Sequence, residues 1–167
     1  MMNEAFLLLG GNLGDVAATF NKARTLVSER LGEVLSASSL YKSEPWGFES
    51  RDMFLNQVLK IVTDMDAETL MQQILDIEQA LGRQREKGKL TSRFIDLDLL
   101  FFNDLVIDRP HLQVPHPRLH LRRFTLLPLA EITPEKVHPG LNKSVKELLD
   151  VCPDHTQVVR LDDPSQV

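Results

Sequence analysis

Segments of strand-like and helix-like apolar spacing follow one another in this chain in the order β-α-β-β-α-β, and that order restricts the fold more than any single motif does. Ala5 to Leu9 is a short apolar run ending in Gly10-Gly11-Asn12-Leu13-Gly14, which reads as a buried strand and a glycine-rich turn. Val16, Phe20, Ala23, Val27 and Leu31 are spaced for one face of a helix that stops near Gly32. Val34 to Lys42 has the β-branched, aromatic and serine content of a strand, and residues 43 to 53, with a proline, a glycine and four charges, read as a loop. Phe54 to Thr63 (FLNQVLKIVT) is a further strand. Asp66 is placed to cap a helix with Leu70, Ile74, Ile77 and Leu81 on one face and Gly82 just past its end. Phe94 to Phe102 is the next strand.

Beyond it, Asn103-Asp104 is expected to turn the chain into Leu105-Val106-Ile107 as a hairpin. Residues 108 to 123 are rich in proline, histidine and arginine. Phe124 to Glu131 predicts a short helix interrupted by Pro128, and Ser144-Val145-Lys146-Glu147 is a capping-box pattern opening a last short helix. The tail beyond Pro153 is polar, with a weak strand at Gln157 to Leu161. There is no internal repeat, low-complexity segment or linker, and 167 residues suit a single domain, 1–167, with 153–167 as a polar tail. The element order predicts an α+β fold with a ferredoxin-like core, an added hairpin strand and C-terminal helices.

Composition matters here mainly for what it argues against. A formal net charge of −5 speaks against nucleic-acid binding by bulk electrostatics. The single cysteine, Cys152, can form no internal disulfide and fits a reducing compartment. The N-terminal apolar run is of strand length and lacks a basic flank, so it reads as neither signal peptide nor membrane span. The expectation is a cytoplasmic monomer with no nucleic-acid or membrane partner.

The chemistry gathers around residues 93 to 100, RFIDLDLL. On a strand, Ile95, Leu97, Leu99 and Phe101 form one apolar face, while Phe94, Asp96 and Asp98 share the other. Same-face carboxylates two residues apart lie ~7 Å apart at Cα and can converge on one divalent ion or bracket two. Hard oxygen ligands favour Mg²⁺, which also accepts phosphate oxygens. A lone D-x-D is a weak motif and reads more readily as a solvent-facing polar strand edge. Here it follows a basic loop with Arg83, Arg85, Lys87, Lys89 and Arg93, and cations beside such a pair suit a polyphosphate. His116, Arg118, His120, Arg122 and Arg123 form a second cationic group. Trp46, Phe54 and Phe124 could stack a flat heterocycle whose edge Asn56, on the face of Phe54, could pair; by residue type alone, Phe54 and Phe124 read more readily as core. P-loop, protein-kinase and dinucleotide fingerprints are absent from the sequence. The residues therefore indicate Mg²⁺-dependent chemistry on a nucleotide polyphosphate, without naming the acceptor.

LLLGGNLGD at 7–15, SSLYKSEPWG at 38–47, FLNQV at 54–58, IEQALGRQR at 77–85, SRFIDLDLL at 92–100 and VPHPRLHLRRFTLLPLAEI at 114–132, in this order and spacing, resemble the 6-hydroxymethyl-7,8-dihydropterin pyrophosphokinases of folate biosynthesis. The resemblance implies transfer of the β,γ-pyrophosphoryl group of ATP to the pterin's hydroxymethyl oxygen, giving AMP and the pterin diphosphate. It implies Asp96 and Asp98 as ligands of two Mg²⁺ ions, with Arg83 and Arg93 as catalytic residues in a mobile loop. It implies Glu78, Arg85, Lys89, His116 and Arg122 at ATP, and a pterin held between Phe54 and Phe124, with Asn56 at its edge and the backbone of Ser43, Glu44, Pro45 and Trp46 beside it. The family's loop commonly reads basic residue, tryptophan, glycine, proline, arginine; here it is Lys89-Leu90-Thr91-Ser92-Arg93. Leu90 cannot stack as tryptophan would, and Lys89 lacks the bidentate fork of arginine. Pro117 stands where tyrosine is common, and Glu44 where proline is. Two other readings compete: an ATP- and pterin-binding relative with altered catalysis, and a nucleic-acid-binding module with the same element order.

Overall fold

The computed structural model describes residues 2–11, 16–43, 54–82 and 95–161. The first strand, β1 (Asn3–Gly11), carries the unbroken run Ala5 to Leu9, every residue of which is buried. A run without polar alternation implies that both faces of the strand are covered, and they are. β1 lies inside an antiparallel sheet, between β4 (Phe54–Thr63) and β5 (Asp96–Phe102). Ala5, Leu7 and Leu9 point to a cluster with Phe20, Ala23 and Val27 of α1 (Val16–Arg30) and Leu70, Ile74 and Ile77 of α2 (Ala67–Ala80). Phe6 and Leu8 point the other way, to Leu126 and Leu129 of α3 (Arg123–Ile132) and Val145 and Leu148 of α4 (Val145–Asp150). The sheet is thus sandwiched between two helical layers.

The stretch expected as one strand from Val34 to Lys42 is two: β2 (Glu33–Ala37) and β3 (Leu40–Ser43). Both pair with β4, β2 against Leu59 to Val62 and β3 against Phe54 to Asn56. The break falls at Ser38 and Ser39. Ser38 Oγ accepts from the Val58 N–H at 2.9 Å, in place of a ladder carbonyl. The Ser39 N–H turns to the Glu131 carboxylate of α3, which also accepts from Tyr41 Oη at 2.7 Å. β8 (Val158–Leu161) adds to the outer edge of β3, so the sheet runs β5-β1-β4-β3-β8 with β2 beside β3 on β4.

Three further expectations are corrected. Phe101 does not share a face with Leu97 and Leu99. The β1–β5 register shifts between Phe6 and Leu7, leaving Leu100 as an extra residue, and Phe101 flips to pack edge-on against Phe6 at 6.0 Å. Asn103 does not turn β5 into a hairpin. It adopts a left-handed conformation and is tied to β1, donating from its amide to Glu4 and accepting the Glu4 N–H on its side chain. The hairpin lies further on, between β6 (Ile107–Arg109) and β7 (Leu112–Val114). Finally, α3 continues through Pro128. The missing N–H deprives only the Phe124 carbonyl of its helical partner, and Pro128 is buried. The expected caps form at Asp66, which accepts from the Thr69 N–H at 2.8 Å, and at Ser144, as a full capping box.

Gly32 joins α1 to β2 where a Cβ would lie 1.9 Å from the Val62 carbonyl oxygen of β4. Backbone cannot yield as a flexible side chain does, so Gly32→Ala is expected to cost about 3 kcal/mol. A urea titration checks this; an unshifted midpoint would contradict so close an approach.

Candidate active site

The register across three strands builds the site. Asn56 on β4 pairs with Gly10 on β1, and Gly10 pairs with Asp96 on β5. At ~4.8 Å per strand, Asn56 and Asp96 stand about 10 Å apart with only a glycine between them. A Cβ on Gly10 would lie 3.0 Å from Asn56 Oδ1, so the missing side chain keeps this floor open. One row away, Asp98 lies opposite Leu8.

From the helical layer above, Arg122 and Phe124 at the start of α3 complete the enclosure. One pocket is lined by Leu8, Gly10, Ser43, Phe54, Asn56, Asp96, Asp98, Arg122 and Phe124. The structure thus brings together most of the described residues that the sequence singled out. Asn56 and Ser43 are buried, at 4% and 2% exposure, whereas Phe54 and Phe124 are half-buried, with rings bordering the pocket. Phe124 also packs against the apolar cluster of Phe6 and Leu126, so it belongs both to the core's margin and to the pocket wall.

The electrostatics are uneven. The Arg122 guanidinium lies over the Phe124 ring, 5.5 Å from its centroid. Burial lowers its pKa, opposed by the negative charge of Asp98 and, less, of Asp96, and reinforced by Arg118. Arg122 therefore faces the carboxylate pair. His116 follows β7, its N–H donating to the Leu100 carbonyl at 2.9 Å. Its Nδ1 accepts the Arg118 N–H at 3.1 Å, so the neutral ring carries its proton on Nε2, which is left to donate. Glu78 sits beneath the pocket floor, 3% exposed, and accepts the Leu97 N–H on Oε2 at 2.9 Å. Arg83, Arg85, Lys89, Arg93, Glu44, Pro45 and Trp46 lie outside the described residues.

Two lining residues were missed from sequence. Leu8 looked like core in an apolar run, and Gly10 like part of a turn. The only signal for Gly10 was a glycine at the end of a strand, where close approach is one of several uses.

The histidines give the fold a pH dependence. Burial, then Arg122 and Arg118, hold the His116 pKa down to about 4, from an ordinary 6.5. His138, whose Nδ1 accepts the Gly140 and Leu141 N–H groups, is lowered by burial and by His120. Because the folded values lie below the unfolded ones, the unfolded chain takes up protons first as pH falls. The contribution of the neutral His116 ring is complete above about pH 6.5 and is lost towards about pH 4, and that of His138 falls in the same direction. The urea midpoint is expected to fall through this window, with a shallower fall in His116→Gln and His138→Gln. A flat profile in the parent protein would contradict the lowered histidine pKa values.

The residues present suit a hard divalent cation. Among the described residues no cluster of three or more His, Cys, Asp or Glu could by itself hold a metal, but the Asp96–Asp98 pair borders an open pocket. Mg²⁺ typically takes one or two carboxylates and completes its shell with water and phosphate oxygens.

Over residues 6–134 the chain matches the family described as 7,8-dihydro-6-hydroxymethylpterin-pyrophosphokinase (HPPK). The chain belongs to the HPPK family. It is 40% identical over 146 residues to a 2-amino-4-hydroxy-6-hydroxymethyldihydropteridine pyrophosphokinase of Aquifex aeolicus, covering 87% of this chain and 90% of that one. With the enzyme of the same description from Bacillus subtilis it shares 39% identity over 133 residues, 79% of each. Among solved structures, wild-type HPPK-DHPS of Plasmodium falciparum matches with a TM-score of 0.75 at 19% identity, over 90% of this chain and 44% of that chain. That likeness is one of fold, and this HPPK chain spans less than half of the Plasmodium protein's length. No helix among the described residues is long and apolar enough to cross a membrane.

Proposed function

We propose that this chain transfers the pyrophosphoryl group of ATP to 6-hydroxymethyl-7,8-dihydropterin using Asp96 and Asp98 as the ligands of two Mg²⁺ ions. The transfer itself, a step of folate synthesis, is the reaction of the HPPK family to which the chain belongs. The observation that carries the residue assignment is that an aromatic pair, a buried amide, two carboxylates and an arginine converge on one pocket.

The bicyclic pterin fits between Phe54 and Phe124, with the Asn56 amide and the Ser43 backbone at its donor–acceptor edge. Its hydroxymethyl oxygen then points along the row from Asn56 over Gly10 towards Asp96. Bound there, Mg²⁺ would polarise the phosphate oxygens and favour the ionised hydroxymethyl group as nucleophile. Attack at the β-phosphorus forms the new P–O bond as the bond to the α–β bridging oxygen breaks, and AMP leaves with that oxygen. Arg122 stands where it can turn from the Phe124 ring to a phosphate, and His116 Nε2–H donates to another without adding charge. Arg83 and Arg93 neutralise the leaving oxygens, with Arg85 and Lys89 on the phosphates. No covalent protein intermediate is required; positioning and charge stabilisation suffice.

The fold is read as a ferredoxin-like core, supported by the β5-β1-β4 order flanked by β2 and β3, and the protein as a cytoplasmic monomer of one domain. With pterin, ATP and Mg²⁺, chromatography is expected to show pterin-dependent AMP. ADP in its place, or hydrolysis independent of pterin, would refute the reading.

A further inference from the structure

β5 is an edge strand: among the described residues it has a ladder partner, β1, on one side only. An edge leaves alternate N–H groups unpaired and lets the strand shift. Leu97, the residue between Asp96 and Asp98, turns its N–H away from β1, where Glu78 Oε2 accepts it at 2.9 Å. Glu78 is 3% exposed. A carboxylate is costly to bury so completely unless its hydrogen bonds are specific. It stands on α2, whose Ile74 and Ile77 are fully buried against the sheet, so the acceptor is held by the core.

We infer that Glu78 is a positioning residue for the Asp96–Asp98 pair, acting through the Leu97 peptide rather than through contact with the nucleotide. The Leu97 N–H belongs to the peptide that joins Asp96 to Leu97. Fixing its plane orients the Asp96 Cα–Cβ bond directly and anchors Leu97, through which the strand runs on to Asp98, and so holds the separation at which the carboxylates meet a cation. Groups that orient metal ligands in this way typically contribute about 10- to 100-fold in metal affinity. The inference rests on the reading of Asp96 and Asp98 as metal ligands.

Four proteins separate the two ideas: the parent, Glu78→Gln, Glu78→Ala and Asp98→Asn. Amide exchange at Leu97 is followed in the metal-free protein, and Mn²⁺ affinity by electron paramagnetic resonance with a non-hydrolysable ATP analogue. The kcat and the KM for ATP are measured alongside. Glutamine keeps an acceptor oxygen and alanine does not. Glu78→Ala is expected to speed Leu97 exchange about ten-fold or more, weaken Mn²⁺ about 10- to 100-fold and lower kcat more than it raises KM, with Glu78→Gln close to the parent in exchange and Mn²⁺ affinity. Unchanged Mn²⁺ affinity with a raised KM in Glu78→Ala would mark a nucleotide contact and overturn the inference. Loss of Mn²⁺ affinity in Glu78→Gln would also overturn it, and this variant decides alone if circular dichroism shows Glu78→Ala unfolded. If Asp98→Asn binds Mn²⁺ as the parent does, the metal reading fails and the inference with it.

Discussion

Alanine at Asp96 or at Asp98 is expected to lower pterin-dependent AMP formation by about 1,000-fold or more, the several kcal/mol that metal-assisted charge stabilisation supplies, while the protein still unfolds cooperatively near its usual temperature. Both side chains are only partly buried and face the pocket, on the side of β5 away from Leu97 and Leu99. Losing them leaves no cavity in the α1–α2 core. Their removal instead leaves Arg122 facing an uncompensated cationic pocket, so ATP affinity without metal should rise or hold as turnover collapses. Retained turnover, or collapse of the fold with it, would refute the metal role.

The next largest effect is expected at the other end of the pocket. Asn56 is 4% exposed and stands on the floor beside Gly10, where water has little access once a ring fills the site. Asn56→Leu would leave the pterin edge unpaired in a desolvated place, at about 1–3 kcal/mol, so pterin affinity should fall roughly 10- to 100-fold. Phe124→Ala should act in the same direction through lost stacking, and ATP affinity should be little changed in both. Calorimetric titration of each ligand distinguishes them. A variant that loses ATP and pterin equally would place Asn56 in the scaffold and not in the site.

Much of this architecture was legible where local chemistry decides it. FLNQVLKIVT becomes β4 with the expected limits, Phe54 and Thr63, and Asp66 and Ser144 cap the helices that their spacing announced. What could not be read depends on partners distant in sequence. The extra residue at Leu100 exists only in the register with β1. The break at Ser38 and Ser39 depends on Val58 and on Glu131, 92 residues beyond Ser39. Asn103 looked like a free hairpin turn because nothing local shows that β1 claims both its backbone and its side chain.

The site was legible in part for a related reason. Alternation alone placed Asp96 and Asp98 on one face, and the structure keeps them there. The aromatics were ambiguous because half-buried phenylalanine at a pocket wall and phenylalanine in a core share one sequence signal. The resemblance pointed to a stacked ring instead, and both residues border the pocket. Glu78 was legible as a residue but not as an arrangement, because its acceptor role becomes visible only once α2 lies against β5.

The central claim is that a pyrophosphoryl group moves as one unit to the pterin. ATP labelled distinguishably at its β- and γ-phosphorus, incubated with the protein, the hydroxymethyl pterin and Mg²⁺, tests it most directly. Both labels are expected in the pterin product in equal amounts, with neither in the AMP. A product carrying the γ label alone, with the β label left in ADP, would contradict it.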